Sequence, residues 1–437
     1  MHTRTLRAAL VAVAATCATA LAGPLTPPVG APAPTGKTLT HVEPRIALTA
    51  DKTPGDADAV FKITELGSYY LTDNLRVPEG FAGIEIEQGC TVDLNGFNIQ
   101  RDANITAGPA IRIDTNANAT VRIFNGSIRL IPSGIVADGI ADRVTIEHVA
   151  FTNIFGNAIK LTTGTTTGGT GIAAVVRNCQ FDEIDGSAIV AGNRATVEGV
   201  LANSCGLVSG SAIEIGTTSR VTDTIIWRCG NDALTVGNQV TISRVQIEGP
   251  GGAGIIAENR ARISDAVVIV AGSDGLRLKQ SAVVSDSILV LNGGFGADLS
   301  VGTNSPSLAS FTNCQFVANA AGEVTASFGT QVGVRRSTFR DCYFFQDSGG
   351  AIGVHVLDGS RIERCHFINS IAVQTESSQN TIIDSSFSNA NVVLNGSGNF
   401  FTKNTLGGTA TLIDNAGSNF APTPTSTPTN AWDNIDQ

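Results

Sequence analysis

Two aspartates and two basic residues are the side chains of this sequence best spaced to act together on an acidic sugar. Asp232 and Asp274 each precede, by two residues, the apolar residue of a short strand-like segment, and the two segments are copies of one repeat. Two carboxylates can act as general acid and general base in glycoside hydrolysis, and inverting enzymes hold them ~6.5–9.5 Å apart. Arg277 and Lys279 follow Asp274 on its segment, and such cations suit an anionic sugar. The spacing therefore permits an inverting hydrolase site.

Two glutamates complete the predicted site. Glu214 and Glu258 occupy outward positions near Asp232 and Asp274 and are predicted, with Arg277 and Lys279, to bind substrate. We expect these four residues and the two aspartates to share one outward face. A competing interpretation rests on turn chemistry, because an aspartate before glycine or alanine is common at the corner of a coil. Under that interpretation Asp232 and Asp274 only cap turns. The sequence favours this simpler interpretation and leaves the catalytic one open.

A lyase would need different chemistry from a hydrolase. It would use an arginine base and calcium held by aspartates. The run Asp182, Glu183 and Asp185 supplies carboxylates, but its spacing matches no diagnostic calcium site, and solvated turn acids are the simpler explanation. We therefore predict no metal and no cofactor, with Ca²⁺ required only if the protein is a lyase.

The cysteines are predicted to be buried thiols. Seven of the eight lie beyond the predicted signal peptide, which is an odd number for a disulfide framework. Cys314, Cys342 and Cys365 fill an apolar position of the repeat, where cysteine packs as a small hydrophobe. Cys205 and Cys229 share another position on adjacent copies. Stacked side chains have parallel Cβ vectors, which disfavour the disulfide torsion, although a secreted protein could form such bridges.

An internal repeat positions all of these side chains. Apolar residues recur at i, i+3 and i+5, and the first position recurs every 21 residues from Val221 to Val284 and every 19 to 30 elsewhere. The copies begin at Leu94, Ile123, Ile146, Val176, Val197, Val221, Ile242, Ile263, Val284, Phe311, Phe339, Ile362, Ile382 and Phe401. A fixed period of this length is typical of solenoids.

The gap of three inside each copy predicts a tight bend. Apolar residues two apart face the same side of a strand, so a gap of three breaks the alternation unless the two residues between them turn the chain. The second residue of that pair is Gly, Asn or Asp in ten of the fourteen copies, and these types tolerate a left-handed backbone. A further short strand follows, as at Ala233-Leu234. Each copy thus predicts one coil of a parallel β-helix, with coils ~4.8 Å apart.

The repeat resembles the right-handed parallel β-helix proteins of the pectin-lyase-like superfamily over nearly all of residues 60–415. The stretch ITELGSYYLTDNLRVPEG, followed by GIEIEQGCTVDLNGFNI, looks like the first coils of secreted bacterial members. The resemblance implies an all-β fold, a right-handed single-stranded parallel β-helix of about 14 coils with a period of about 21–24 residues. Leucine-rich repeats and propeller blades do not share this pattern.

A fainter resemblance concerns the site. Asn231-Asp232 and Ser273-Asp274, with Arg277-Leu278-Lys279, resemble the acidic and Arg-Ile-Lys motifs of polygalacturonases. It implies that the aspartates act as acid and base and that Arg277 and Lys279 bind a sugar carboxylate. The Gly-His-Gly motif of that family is absent from this sequence, and the basic pair follows Asp274 on the same strand.

Composition and the chain ends predict where the protein works. With 28 basic and 38 acidic residues the net charge is −10, which argues against a nucleic-acid partner. Arg4 and Arg7 precede an apolar run that ends at Ala20-Leu21-Ala22, as in a signal peptide. No later segment could span a membrane. We predict a signal peptide at 1–22, a Pro/Ala-rich linker and lead-in at 23–58, the β-helix at 59–415, and a flexible Pro/Thr-rich tail at 416–437. The location would be secreted, periplasmic or cell-surface.

Two function classes remain at this stage. The first is a non-catalytic scaffold that binds a polysaccharide or another cell-surface component. The second is a polysaccharide lyase or inverting glycoside hydrolase acting on an acidic polysaccharide. Mostly short coils and only two tryptophans, Trp227 and Trp432, favour the scaffold.

Overall fold

The computed structural model describes the chain in ranges. They are residues 44–101, 107–115, 119–137, 141–162, 172–299, 308–325, 327–328, 331–332, 334–346, 352–415 and 435–436. Within these ranges, the residues from Arg45 onward belong to one compact unit. The predicted signal peptide, most of the predicted linker and nearly all of the predicted tail lie outside these ranges. In the described ranges the secondary structure is strand and turn, and no helix there could cross a membrane.

The strands stack in parallel into three sheets, which we call faces 1, 2 and 3 in the order in which each coil visits them. Face 1 alone contains Ile46–Ala47, Gly67–Tyr70, Cys90–Asp93, Ala173–Arg177, Thr196–Glu198, Val283–Ser285, Ser310–Thr312, Thr338–Arg340, Arg361–Glu363, Thr381–Ile383 and Phe400–Thr402. Face 2 alone contains Leu75–Val77, Asn98–Arg101, Gln180–Ile184, Leu201–Cys205, Ile288–Val290, Gln315–Val317, Tyr343–Phe345, Thr405–Gly407 and Ile435–Asp436. Face 3 alone contains Ala59–Ile63, Ala82–Ile86, Pro109–Ile113, Ser133–Ala137, Ile159–Leu161, Ile189–Ala191, Ile213–Ile215, Leu234–Val236, Ile255–Ala257, Leu276–Leu278, Phe295–Asp298, Gly322–Thr325, Ile352–Val356 and Leu412–Asp414.

The remaining strands run through a corner or form a hairpin. Strands that continue from face 1 into face 2 are Thr120–Ile131, Arg143–Ile154, Arg220–Trp227, Thr241–Glu248 and Arg262–Ile269. Strands that continue from face 2 into face 3 are His366–Thr375 and Ser386–Leu394. An antiparallel pair, Ser327–Phe328 and Gln331–Val332, stands apart from the three faces. The fold is a parallel β-helix of about 14 coils, so the predicted fold class is confirmed.

The strand register matches the repeat. The first apolar positions of successive copies are paired residues on face 1, as in Val221 with Ile242 and Ile242 with Ile263. In the earliest copy the predicted first apolar position, Leu94, was wrong by two residues, because Val92 is the residue that pairs with Ile123. Its bend is a wider turn in which the Phe97 N–H donates to the Leu94 carbonyl. All of these positions point inward, where burial of apolar surface stabilises the coil.

Every predicted bend has a left-handed residue. All ten Gly, Asn and Asp residues at that place have φ between 50° and 79°. The other four copies put His148, Arg244, Arg364 and Lys403 there, also with positive φ. These types pay a steric penalty that Gly and Asn avoid. Two of them are held by the aspartate stacked one coil earlier: Arg244 binds Asp223 with nitrogen–oxygen distances of 2.6 and 2.7 Å, and Arg364 binds Asp341.

The core is filled by columns of like residues. On face 2 the ring of Phe367 lies between those of Phe344 and Phe387, with centroid distances of 4.6 and 5.0 Å and nearly parallel planes. Buried polar residues also stack, since both the backbone N–H and the side-chain amide of Asn292 donate to Asn319. All seven described cysteines are buried free thiols, as predicted.

Strands extend beyond the predicted bounds of the β-helix. Ile46–Ala47, within the predicted lead-in, pairs with Tyr69 and Tyr70 on face 1. Ile435–Asp436, within the predicted tail, pairs with Thr405 and Leu406 on face 2. These two residues therefore add a further rung to that face, next to the last full coil.

Candidate functional site

The predicted aspartates lie at the corner that leads into face 3. Leu234, Ile255 and Leu276 are paired on three successive coils, so Asp232 and Asp274 are two coils apart, roughly 10 Å at the usual strand spacing. Both point their side chains along the solenoid. In each case one carboxylate oxygen accepts the backbone N–H of the next coil, Ala253 for Asp232 and Phe295 for Asp274, at 2.7 and 2.8 Å.

Asp274 is bonded on both of its oxygens. Its Oδ2 accepts hydrogen bonds from Nε and Nη2 of Arg277 at 3.2 and 2.7 Å, and only 6% of the residue is exposed. The same Nη2 also donates to the Ser273 hydroxyl. Arg277 is thus an internal counterion of Asp274, as a charge-assisted pair on one strand.

The other predicted residues form separate contacts. Glu214 Oε1 accepts the Ser187 hydroxyl at 2.9 Å and the Ser211 backbone N–H at 2.8 Å. Lys279 forms an ion pair with Glu258 one coil earlier. The structure therefore brings together Asp274 with Arg277, and Glu258 with Lys279. Glu214 lies three coils before Arg277 in the same outward column, roughly 14 Å away at the usual spacing.

A cluster of carboxylates that the sequence did not suggest lies on the first coils of face 3. Oxygens of Asp56, Asp58 and Glu85 come within 4.8 Å of one another. Lys62 contacts Asp56 at 2.8 Å and Glu85 at 3.1 Å, and Arg112 contacts Asp58 at 2.7 Å. The hydrogen bond from Lys62 holds the pKa of Asp56 well below its usual range. Lys62 and Arg112 already form ion pairs with these three carboxylates, so the arrangement is an ion-pair network.

A cavity of ≈ 610 Å³ opens on face 2. It is lined by Gln180, Phe181, Asp182, Leu201, Asn203, Trp227, Arg228 and Glu248. Asp182, Asn203, Trp227 and Glu248 occupy one outward column on four successive coils. The indole of Trp227 is exposed to 37% in the middle of this column. The volume lies within the ~300–1,000 Å³ usual for ligand sites.

The rim of this cavity is polar. The Asn203 amide donates to Asp182 at 2.6 Å, which orients its carbonyl oxygen. Arg228, the residue after Trp227, and Glu248, the residue paired with Trp227 on the next coil, also line the cavity. An exposed indole offers a flat apolar surface, and carboxylate, amide and guanidinium groups offer acceptors and donors beside it. With two acids and one arginine, the lining carries a net negative charge.

Trp227 and Asp182 were both noted in the sequence, but they were not assigned to a common site. The signal was available in the repeat: each of the four column residues follows the third apolar position of its copy, namely Phe181, Ala202, Ile226 and Ile247. Residues at one register of a solenoid form a column. Aligning the copies at that register would have placed Trp227 between Asn203 and Glu248.

Comparisons with known proteins find similar solved structures at low identity. The Dettilon tailspike protein gp208 is 12% identical over 81% of this chain and 63% of its own, with a TM-score of 0.28, so the chain spans about 63% of that protein. The A-module of the Azotobacter vinelandii mannuronan C-5 epimerase AlgE4 is 10% identical over 80% of this chain and 86% of its own, with a TM-score of 0.29. PfbA, a surface adhesin of Streptococcus pneumoniae, is 9% identical over 79% and 84%, with a TM-score of 0.23.

No protein-family profile matches the chain, and no curated protein matches it. The fold itself is settled by the strands described above, which stack in parallel on three faces, coil after coil. The chain is a parallel β-helix protein, as its repeat predicts.

Proposed function

We propose that the protein is an extracytoplasmic scaffold that binds neutral polysaccharides, without catalysis, at the cavity around Trp227. The observation that carries the proposal is the half-exposed indole in a cavity of ligand size with polar groups on its rim. Sugar rings present an apolar face to an aromatic ring and hydroxyls to neighbouring polar side chains, which is what this lining provides.

The charges of the lining support a neutral ligand. Asp182 lies two coils before Trp227 in one column and Glu248 lies one coil after it, and Arg228 is the cation among the lining residues. A polyuronate would bring carboxylates against two carboxylates and one guanidinium, on a chain of net charge −10. A neutral glycan avoids that repulsion.

The alternative is a polysaccharide lyase or inverting hydrolase that acts through Asp232 and Asp274, with Arg277 and Lys279 binding an acidic sugar and Ca²⁺ needed only for a lyase. The contacts on face 3 favour the binding function. Asp274 is buried and bonded to Phe295 and Arg277, and each of the two cations already has a carboxylate partner. A general acid or base must reach a substrate proton at hydrogen-bond distance.

Calorimetric titration of the full chain with soluble neutral and acidic polysaccharides tests the proposal. We expect a neutral glycan to bind and Trp227→Ala to weaken it about 10–30-fold, which corresponds to ~1.4–2 kcal/mol for an aromatic anchor. Phe124→Ala is the matched control, since Phe124 points outward on face 1 beside Arg122, away from the cavity. It should bind like the wild type.

Two results would contradict the proposal. One is a bound glycan whose affinity is equal in the wild type and in Trp227→Ala. The other is release of unsaturated or reducing-end products by the wild type, lost when Asp232→Asn and Asp274→Asn are combined with the far-ultraviolet β signal unchanged. The second result would establish the enzyme instead.

A further inference from the structure

Face 2 carries a second group of aromatic side chains, several coils beyond the cavity around Trp227. Tyr343, Phe345 and His366 occupy outward positions on two successive coils, and we call them the C-terminal aromatic site. All three side chains are partly exposed. The rings of Tyr343 and His366 stack along the solenoid, with centroids 5.7 Å apart and an interplanar angle of 25°. Phe345 follows Tyr343 by two residues on one strand, so its ring lies in the neighbouring outward column.

Polar groups border these rings. The Ser386 hydroxyl, one coil further along, makes a hydrogen bond with Nδ1 of His366, so Nε2 is the ring nitrogen left to a ligand. Gln315 is exposed one coil before Tyr343 in the same outward column. Tyrosine and histidine each combine an apolar ring with a polar tip. The C-terminal aromatic site therefore offers a sugar what Trp227 and its neighbours offer, an apolar ring face beside hydrogen-bonding groups.

The strand register places the two aromatic groups in one line. Trp227 and Phe345 belong to one outward column of face 2, and the residues between them on successive coils are Glu248, Ile269, Val290 and Val317. The two aromatic residues are therefore five coils apart, roughly 24 Å at the usual strand spacing. After Glu248, the outward positions of the described face 2 strands are uncharged as far as Phe345. A neutral chain can thus lie along the column from one ring to the other.

The coil spacing selects the form of this chain. A β-1,4-linked glycan with equatorial linkages is an extended ribbon whose rings present apolar faces. It advances per sugar by about the distance that the solenoid advances per coil, ~5 Å. Roughly six sugar units, one above each coil, would then reach from Trp227 to Phe345. A coiled α-linked chain does not keep this correspondence.

We propose that the C-terminal aromatic site is a second glycan-binding site, and that one extended, neutral, β-1,4-linked chain occupies it together with the cavity around Trp227. The inference rests on the proposed function, because it extends the same ligand along face 2. When a chain already bound at one site reaches the other, the second contact is intramolecular. Its affinity then exceeds that of a fragment bound at one site by ~10²-fold or more.

Calorimetric titration of the full chain with glucomannan fragments of defined length tests the proposal. Glucomannan is neutral, β-1,4-linked and soluble in water. Fragments of about three units are too short to join the sites, so two of them should bind per protein chain. One fragment of about eight units should bind per chain, about 100-fold more tightly. Dextran fragments of the same lengths, which are neutral but α-linked, should not show this gain.

Tyr343→Ala combined with Phe345→Ala removes the second site. The double variant should bind the eight-unit fragment about 100-fold more weakly than the wild type, and it should bind one three-unit fragment per chain. Both side chains point outward, so circular dichroism and melting should stay those of the wild type. Phe124→Ala, which removes an outward ring from face 1, is the matched control and should bind like the wild type. His366→Ala keeps both other rings and should give a smaller loss, so it tests the site even if the double variant fails to fold.

Three results would overturn the proposal. One is equal affinity of the wild type, the double variant and His366→Ala for the eight-unit fragment. Another is a single three-unit fragment bound per wild-type chain. The third is a dependence on length that dextran shares. If Trp227→Ala weakens glycan binding while the substitutions at the C-terminal aromatic site change nothing, the proposed function stands and the second site alone fails. If Trp227→Ala has no effect on glycan binding, the proposed function itself fails.

Discussion

Replacing Phe367 by alanine should be among the most destabilising single changes in this chain. The side chain is 1% exposed and lies in the middle of a ring column on face 2. Phe344 stacks on one side of it at 4.6 Å and Phe387 on the other at 5.0 Å, with interplanar angles of 5° and 4°. Truncation would therefore remove contacts on two coils at once.

The magnitude follows from burial and from stacking. Truncating a buried phenylalanine to alanine costs ~3–5 kcal/mol through lost transfer free energy and the cavity left behind. Each stacked aromatic pair contributes ~0.5–1.5 kcal/mol beyond its buried area. Neighbouring coils are held in register by backbone hydrogen bonds, so Phe344 and Phe387 cannot move together to close the gap. We therefore expect a loss of about 4–5 kcal/mol.

Equilibrium unfolding in urea, followed by far-ultraviolet circular dichroism and by tryptophan fluorescence, measures this loss. Phe124→Ala is the control, because that ring is partly exposed on face 1 and contacts Arg122. It should cost about 1 kcal/mol or less, the value of an exposed cation–π contact. A solenoid can unfold in segments, so the two probes must give coincident transitions before free energies are compared.

A cost below about 1 kcal/mol for Phe367→Ala, in reversible and coincident transitions, would refute the reasoning. It would mean that the ring does not face inward, and the inward register of the whole face 2 column would then be wrong. A large cost for Phe124→Ala would equally contradict the assignment of inward and outward sides.

Two further predictions concern the thiols and the bends. Burial raises the pKa of the Cys229 thiol to about 12. Because the folded protein then holds this proton more tightly than the unfolded chain does, stability should fall as pH rises from about 9 toward 12, and Cys229→Ala should reduce the slope by ~1.4 kcal/mol per pH unit. Measuring urea midpoints across this range tests it, and an unchanged slope would contradict the buried-thiol argument. His148 has φ 55° at a bend where most copies have Asn, Asp or Gly, so His148→Asn should raise stability by about 0.5 kcal/mol, and a loss above 1 kcal/mol would show that the imidazole contributes more than its backbone costs.

The fold was predictable because successive coils repeat the same strands and bends, so the same residue types recur at the same positions in the sequence. Each bend needs a left-handed residue, and the ten Gly, Asn and Asp residues gave the place of the turn. His148 and Arg364 gave no such signal, yet they adopt the same conformation, because coils before and after dictate the path of the chain. The first copy was misaligned at Leu94 because its turn between faces 1 and 2 has two more residues than the same turn in the later copies. No earlier copy of the repeat was available to show the register.

The candidate site was predictable only in part. The repeat places Asp232 and Asp274 two coils apart, but it does not say where their side chains point. That Asp274 bonds to Arg277 and to the Phe295 N–H depends on rotamers and on the geometry of the corner. The cavity around Trp227 is different, because its column could have been read from aligned copies. What alignment could not give is the volume of the cavity, which depends on the side-chain conformations of the lining residues.

The equal length of the central coils has an evolutionary consequence. Arg220–Trp227, Thr241–Glu248 and Arg262–Ile269 have the same length and begin 21 residues apart. An in-frame loss or duplication of one such unit would shorten or lengthen the rod by ~4.8 Å, with every inward column still aligned across the junction. Outward side chains would change neighbours, so that loss of the coil containing Ala253 would make Asp232 and Asp274 adjacent. This protein can therefore recombine its surface chemistry in steps of one coil while its core remains unchanged.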